Sequence, residues 1–205
     1  MFKMFSKYTN IFIIVLISFT LYSCKGEKEF TTKTFFTSDA FFSVTLPRNQ
    51  EHIAEEAFKK AEEYSSSGKG YAADMAGKFL KEKGVENFAV NFGSNVYSIG
   101  KKNNGSFSVG IPNPLDPNRI ISAVKLKNCG VSTYPDSGKL GDGNYASLSV
   151  ATDNAEKAQL LAKSYYILSE DDINTVCREN NTPVLIVQKN GDVEKFCGWE
   201  KIELK

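Results

Sequence analysis

Lys78-Phe79-Leu80-Lys81-Glu82-Lys83-Gly84-Val85-Glu86-Asn87-Phe88-Ala89-Val90-Asn91-Phe92-Gly93 contains the change of period that sets the fold class. Up to Gly84, the apolar residues Ala72, Met75, Ala76, Phe79 and Leu80 recur at helical spacing. This predicts a helix from about Tyr71 to Lys83, with Gly84 as its C-terminal stop. Beyond Gly84, Val85 to Phe92 reads as a strand closed by Gly93. Upstream, Phe30 to Leu46 alternates aromatic and β-branched residues with Thr and Ser, which predicts strands ended by Pro47. Asn49 is the expected N-cap of a helix from Gln50 to Tyr64 with the stripe Ile53, Ala57, Phe58 and Ala61, broken by Ser65-Ser66-Ser67-Gly68.

Downstream, Asn95 to Ile99 and Ser106 to Ile111 read as a hairpin joined through Asn104-Gly105. A proline-marked loop and a strand from Ile120 to Leu126 follow. The turn formers of Ser132 to Asn144 predict a loop. A strand is expected at Tyr145 to Ala151, and helices at Ala155 to Leu168 and Asp171 to Asn180. A closing hairpin of Val184 to Gln188 with Val193 to Cys197 turns at Asn190-Gly191. Helices and hairpins mix without regular βαβ alternation. The class is therefore α+β, with mixed or antiparallel sheets and packed helices.

The 205 residues are 41% hydrophobic and 24% charged, enough for a core. Lys+Arg 25 against Asp+Glu 24 gives a formal charge of +1, so no strong field for nucleic acid exists. The single His, His52, rules against a His-rich metal cage or a His-dependent triad. Its expected place is an exposed turn of the first helix.

Lys3 and Lys7 precede the apolar run Ile11 to Leu21, too short for a comfortable membrane span. It ends at Leu21-Tyr22-Ser23-Cys24, similar to a bacterial lipoprotein signal except for the bulky Tyr22. On that reading residues 1–23 are a signal and Cys24 becomes the lipid-bearing first residue. Residues 24–34 are then a tether and 35–205 the domain, on the outer side of a bacterial membrane in the cell envelope. An ordinary secretory signal with an incidental Cys is the other reading. Cys129, Cys177 and Cys197 then remain. Cys177 and Cys197 could pair in an oxidising compartment or stay as buried thiols, and spacing does not choose between them.

Gly68-Lys69-Gly70-Tyr71-Ala72-Ala73-Asp74, Val90-Asn91-Phe92-Gly93-Ser94-Asn95 and Phe107 to Pro114, taken in this order, resemble the ApbE family. The helix at 155–168 and the terminal hairpin continue the likeness over nearly the whole chain after the signal. The resemblance implies an ApbE-like (T-fold-like) domain. It also implies an activity: FAD is cleaved at its pyrophosphate, and FMN is esterified to a Ser or Thr of a respiratory flavoprotein subunit, with Mg²⁺. Gly-rich turns before helices suit phosphates because free backbone N–H groups point outward there. The flavin-contacting residues implied by the likeness are Glu63, Lys69, Gly70, Tyr71, Asp74, Asn95, Ser132 and Thr133.

The metal position departs from the pattern. Where the family has Asp and Thr one helical turn apart, this chain has Gln159 and Lys163. A neutral amide and an ammonium are poor partners for Mg²⁺, which takes oxygen ligands and carboxylates. Only a main-chain carbonyl near Ser66 survives from the ligand set. The family's His-bearing loop is missing as well, with Tyr134 at its Asp position, and segments that enclose the flavin are absent. These losses predict impaired metal-dependent transfer. A flavin- or partner-binding lipoprotein without turnover is the alternative.

Overall fold

A computed structural model describes residues 28–103, 105–135 and 143–204. The predicted signal, Cys24 and most of the loop predicted between Ser132 and Asn144 lie outside the described residues. Among the described residues there are ten strands: β1 (Phe30–Phe36), β2 (Phe41–Pro47), β3 (Phe88–Phe92), β4 (Asn95–Ile99), β5 (Phe107–Asn113), β6 (Asp116–Leu126), β7 (Cys129–Tyr134), β8 (Ser147–Thr152), β9 (Val184–Val187) and β10 (Val193–Phe196). Five α-helices accompany them: α1 (Ala54–Tyr64), α2 (Lys69–Glu82), α3 (Ala155–Tyr165), α4 (Glu170–Glu179) and the short α5 (Trp199–Ile202).

Eight strands form one antiparallel sheet in the order β1-β2-β3-β4-β7-β8-β9-β10, while β5 and β6 form a separate ribbon. Period-two patterning sorts the sheet's side chains to its two faces. Phe42, Val44, Phe88, Val90 and Phe92 pack under the alanine stripes of α1 and α2. Leu148, Val150, Val184 and Ile186 pack under α3 and α4. On the opposite face Val96, Val131, Leu185 and Val187 meet Phe107, Ile111, Val124 and Leu126 of the ribbon, together with Trp199. The result is three layers: helices, sheet, ribbon.

Several expectations need correction. The strand β1 begins at Phe30, inside the stretch 24–34 read as tether. Asn49 is not a cap: residues Arg48–Ile53 form a 3₁₀ turn that leads into α1, with no side-chain cap bond. The Asn95–Ile99 strand does not pair with β5, because both of its edges are taken by β3 and β7. The turn at Gly105 does close on Lys102, but it sends the chain out of the sheet to bury Phe107 on the other face. Finally, the predicted loop begins late. Ser132 and Thr133 lie in the interior strand β7, where pairing with β4 and β8 satisfies their backbones and buried partners satisfy their hydroxyls.

Candidate functional site

One end of the sheet carries the β1–β2 turn, the Gly93-Ser94 turn between β3 and β4, the start of α2 and the end of β7. Lys69 comes from the first turn of α2, and its side chain is only 16% exposed. It crosses Gly93 and places its Nζ 2.9 Å from Asp39 Oδ2 in the β1–β2 turn. Gly93 allows this crossing: its φ is +64°, and a β-carbon there would stand 3.1 Å from Lys69 Cδ. The Lys69 ammonium and the Thr37 hydroxyl hold the exposed Asp39 carboxyl below the usual carboxylate range.

Beside this pair, a cleft of ≈170 Å³ opens between sheet and ribbon, lined by Phe41, Asn91, Ser94 and Thr133 below and Pro112 and Ile120 above. The buried Oδ1 of Asn91 has no hydrogen-bond partner among the described residues. The cleft is smaller than the roughly 300–1,000 Å³ of an ordinary ligand pocket, so it can take a ring or a fragment and not a whole dinucleotide. A larger groove of ≈550 Å³ lies at the other end of the sheet, around Lys28, Arg48 and Glu86, and holds none of the predicted residues.

The predicted residues divide into groups. Lys69 and Thr133 border the cleft region. Asn95 and Ser132 are buried on the helix-facing side, where Ser132 Oγ donates to Asn95 Oδ1 at 2.8 Å. That bond ties β4 to β7. Glu63 pairs with Lys60 on the exposed face of α1 (2.7 Å), and Tyr71 packs edge-on against Tyr64. Ser66 sits exposed in the 3₁₀ turn between α1 and α2. Asp39, Phe41 and Asn91 were not foreseen. Asp39 looks like an ordinary turn residue until the fold brings Lys69 to it.

Asp74 and Gln159 have structural partners that only the fold supplies. Backbone N–H groups of Ala155 and Glu156 donate to the Asp74 carboxylate, each at 2.9 Å, and Lys157 N–H donates to Asn154 Oδ1. Asp74 therefore caps the start of α3, an anion at the positive end of a helix. In return Gly70 N–H, at the start of α2, donates to Gln159 Oε1 at 3.0 Å. The two helices cap each other. A β-carbon on Gly70 would stand 2.6 Å from Ala155 O, so the clasp needs glycine there.

The metal expected from the likeness does not fit these groups. Gln159 carries no charge and its Oε1 already accepts from Gly70, while exposed Lys163 places its ammonium 5.9 Å from the centre of the Tyr134 ring. Neither position supplies an anionic oxygen, and the nearby Asp74 carboxylate already accepts from the backbone N–H groups of Ala155 and Glu156.

Burial raises the Asp74 pKa above its ordinary 3.8, against the lowering effect of its two backbone donors. A carboxyl raised by folding holds its proton more tightly in the native state than in the unfolded chain. Its contribution to stability therefore falls as pH rises from about 3.8 through the native value. The stability of wild type minus that of Asp74→Asn is thus expected to decrease with rising pH across this window. Urea midpoints at a series of pH values check it, and a difference that grows with pH would contradict it.

Comparison with known proteins agrees with the motif order. The ApbE family pattern matches residues 43–141. The FAD:protein FMN transferase of Escherichia coli (strain K12) is 24% identical over 162 residues, covering 69% of this chain and 46% of that protein. The enzyme of the same name from Buchnera aphidicola is 28% identical over 156 residues, 66% of this chain and 45% of its own length. The chain thus spans less than half the length of these curated relatives. Among solved structures, the Pseudomonas stutzeri flavinyl transferase ApbE in its apo form superposes with a TM-score of 0.64 at 12% identity, over 88% of this chain and 100% of that one. The Thermotoga maritima ApbE protein gives a TM-score of 0.55 at 22% identity, over 67% of this chain and 52% of that one. With the motifs in the same order and the same α+β architecture beneath them, these matches support membership of the ApbE family.

Proposed function

We propose that this chain descends from FAD:protein FMN transferases and handles flavin at the end of the sheet around Lys69 and the ribbon cleft, with metal-dependent transfer impaired. The observation that carries the impairment is the 3.0 Å bond from Gly70 N–H to Gln159 Oε1. An amide oxygen used as a helix cap is not a metal ligand, and the next turn of the same helix presents Lys163. In the full reaction a Ser or Thr hydroxyl oxygen of a partner flavoprotein would bond to the FMN phosphorus. The bond from phosphorus to the AMP oxygen would break, and the hydroxyl proton would be lost. This chain's part is binding: Lys69 faces the phosphate charge, and Asn91 Oδ1 offers an acceptor to a ring N–H group. The same geometry favours the second reading, a non-catalytic flavin- or partner-binding protein, over efficient turnover.

The test mixes purified protein with FAD, Mg²⁺ and an acceptor subunit, followed by a search for denaturation-resistant flavin fluorescence on the acceptor. The expected outcome is FAD binding that EDTA does not change, with little or no transfer. Mg²⁺-dependent transfer at the rate of a complete family member would overturn the impaired-site reading.

Lys69→Ala should weaken FAD binding by roughly tenfold or more, the scale of one lost charge-assisted bond. Asp39→Asn should strengthen it, because Asp39 competes with phosphate for the same ammonium. Titration of flavin fluorescence measures both, and equal affinities for all three proteins would remove Lys69 from the site. Lys163→Ala is a separate probe: if Lys163 supplies charge in place of a metal, its loss lowers affinity too.

We assign the protein to the outer side of a bacterial membrane, anchored by lipid on Cys24. The Cys177–Cys197 disulfide, with Cα atoms 6.0 Å apart, suits such an oxidising location. Cys24→Ala should leave the membrane fraction. A variant that stays there would refute the anchor.

A further inference from the structure

We propose that the end of the sheet opposite the candidate site is a membrane-facing surface that lies against anionic lipid headgroups. The proposal takes its geometry from the Cys24 anchor reading, while its charge argument stands without it.

Three connections are locked together at this end. Arg48 N–H donates to Glu29 O at 2.7 Å, where β1 starts and β2 ends. Gly100 N–H donates to Asn128 Oδ1 at 2.7 Å, and Lys101 N–H to Asn87 Oδ1 at 2.9 Å. The turns that follow β4, precede β3 and precede β7 therefore form one surface, continuous with the start of β1.

That surface is basic. Arg48 and Lys83 are paired with Glu29 and Glu56 at 3.0 and 3.4 Å. Lys28, Lys101, Lys102 and Lys127 are exposed and have no ion-pair partner among the described residues. Glu29 and Glu86 are carboxylates beside them. The whole chain carries only +1, so this cluster reflects segregation of charge and not a general excess. Clustered lysines of this kind are attracted to an anionic leaflet, but only within about a Debye length, roughly 10 Å.

The chain supplies that proximity. Cys24 precedes Lys28 by four residues, which span no more than roughly 14 Å. A lipid on Cys24 therefore holds Lys28 and its neighbours at headgroup distance. The strand β1 then runs away from the bilayer for about 20 Å before the turn that carries Asp39. The ribbon cleft and Lys69 consequently open away from the membrane, and an acceptor must approach from the solvent side.

Lysine acetylation of the purified, host-processed full chain on vesicles tests this, read residue by residue by mass spectrometry. On phosphatidylcholine vesicles containing phosphatidylglycerol, Lys28, Lys101, Lys102 and Lys127 should react roughly tenfold more slowly than in detergent. Lys59 and Lys163, elsewhere on the surface, should be unchanged. High salt, or the triple variant Lys101→Glu, Lys102→Glu, Lys127→Glu read at Lys28, should abolish the protection. Equal reactivity on phosphatidylglycerol and pure phosphatidylcholine vesicles would overturn the proposal, whether or not Cys24 is lipidated. Intact mass reports the lipid separately. Protection without lipid would sink the anchor and leave the surface standing.

Discussion

Gly130→Ala is expected to lower stability by about 3 kcal/mol, near the upper end of overpacking costs. A β-carbon on Gly130 would stand 2.1 Å from the Asn154 carbonyl carbon, 2.3 Å from Ala155 N and 2.4 Å from Asn154 O. All three are backbone atoms at the junction between β8 and α3, and none can swing aside as a side chain can. To make room, α3 must lift from β7. That movement would pull Ala155 and Glu156 off the Asp74 carboxylate and Gln159 off Gly70, so both helix caps would weaken together. Gly70→Ala should cost less, since its severe contact is with Ala155 O. Gly84→Ala meets nothing within 4 Å and should cost only about 1 kcal/mol, from its φ of +78°. Urea denaturation of the three variants gives the order directly. A Gly130→Ala protein no less stable than Gly84→Ala would show that the junction is looser than described.

Removing the Cys177–Cys197 disulfide is expected to cost a similar amount, about 3 kcal/mol for a sequence separation of 20. At this chain length that corresponds to a fall in Tm of about 10 °C. The bond joins buried Cys177 on α4 to Cys197 at the end of β10, next to Gly198 and the start of α5. Strand β10 lies at the sheet edge and pairs with β9, so the cross-link ties the end of this edge strand to α4. The Cys177→Ser, Cys197→Ser double variant should melt at the lowered temperature with or without dithiothreitol. Wild type should drop to it on reduction. Cys129 serves as internal control: burial pushes its thiol pKa up, so it reacts slowly in the native state. An unchanged Tm on reduction would mean the two cysteines contribute nothing to stability as a pair.

Much of the fold was legible in the chain because the elements announce themselves locally. The stripe Ala72, Ala76, Leu80 fixes which face of α2 is buried, and Gly84 marks its end. The alternation in Phe88 to Phe92 fixes which side chains of β3 face the helices. What failed was pairing. Asn104-Gly105 is a strong local turn signal, yet whether a turn makes a hairpin depends on whether the neighbouring strand edge is free, and β4 has none to offer. The strand β7 was hidden because Ser132 and Thr133 look solvated until Asn95 and Ser149 are brought against them from other strands.

The candidate site divides in the same way. The residue types at 68–70, at 93–95 and at 159 and 163 can be read directly; they carry the likeness to the family and put a neutral amide and an ammonium where that likeness leads one to expect metal ligands. What those residues do instead is a matter of distance in space. Asp74 lies 81 residues from the amide of Ala155 that it caps, and Gly70 lies 89 residues from Gln159. A carboxylate serves a ligand or a helix start according to which donors surround it, and no spacing rule reports partners so far along the chain. Local patterning, by itself, determined most of the elements, the likeness to the family and the residue types on which the proposed loss of metal chemistry rests. Only the tertiary structure decided that Lys69 faces Asp39, that Gln159 and Asp74 clasp two helices, and that the lysines gather at the far end. Each of those depends on which sheet edges and helix ends meet.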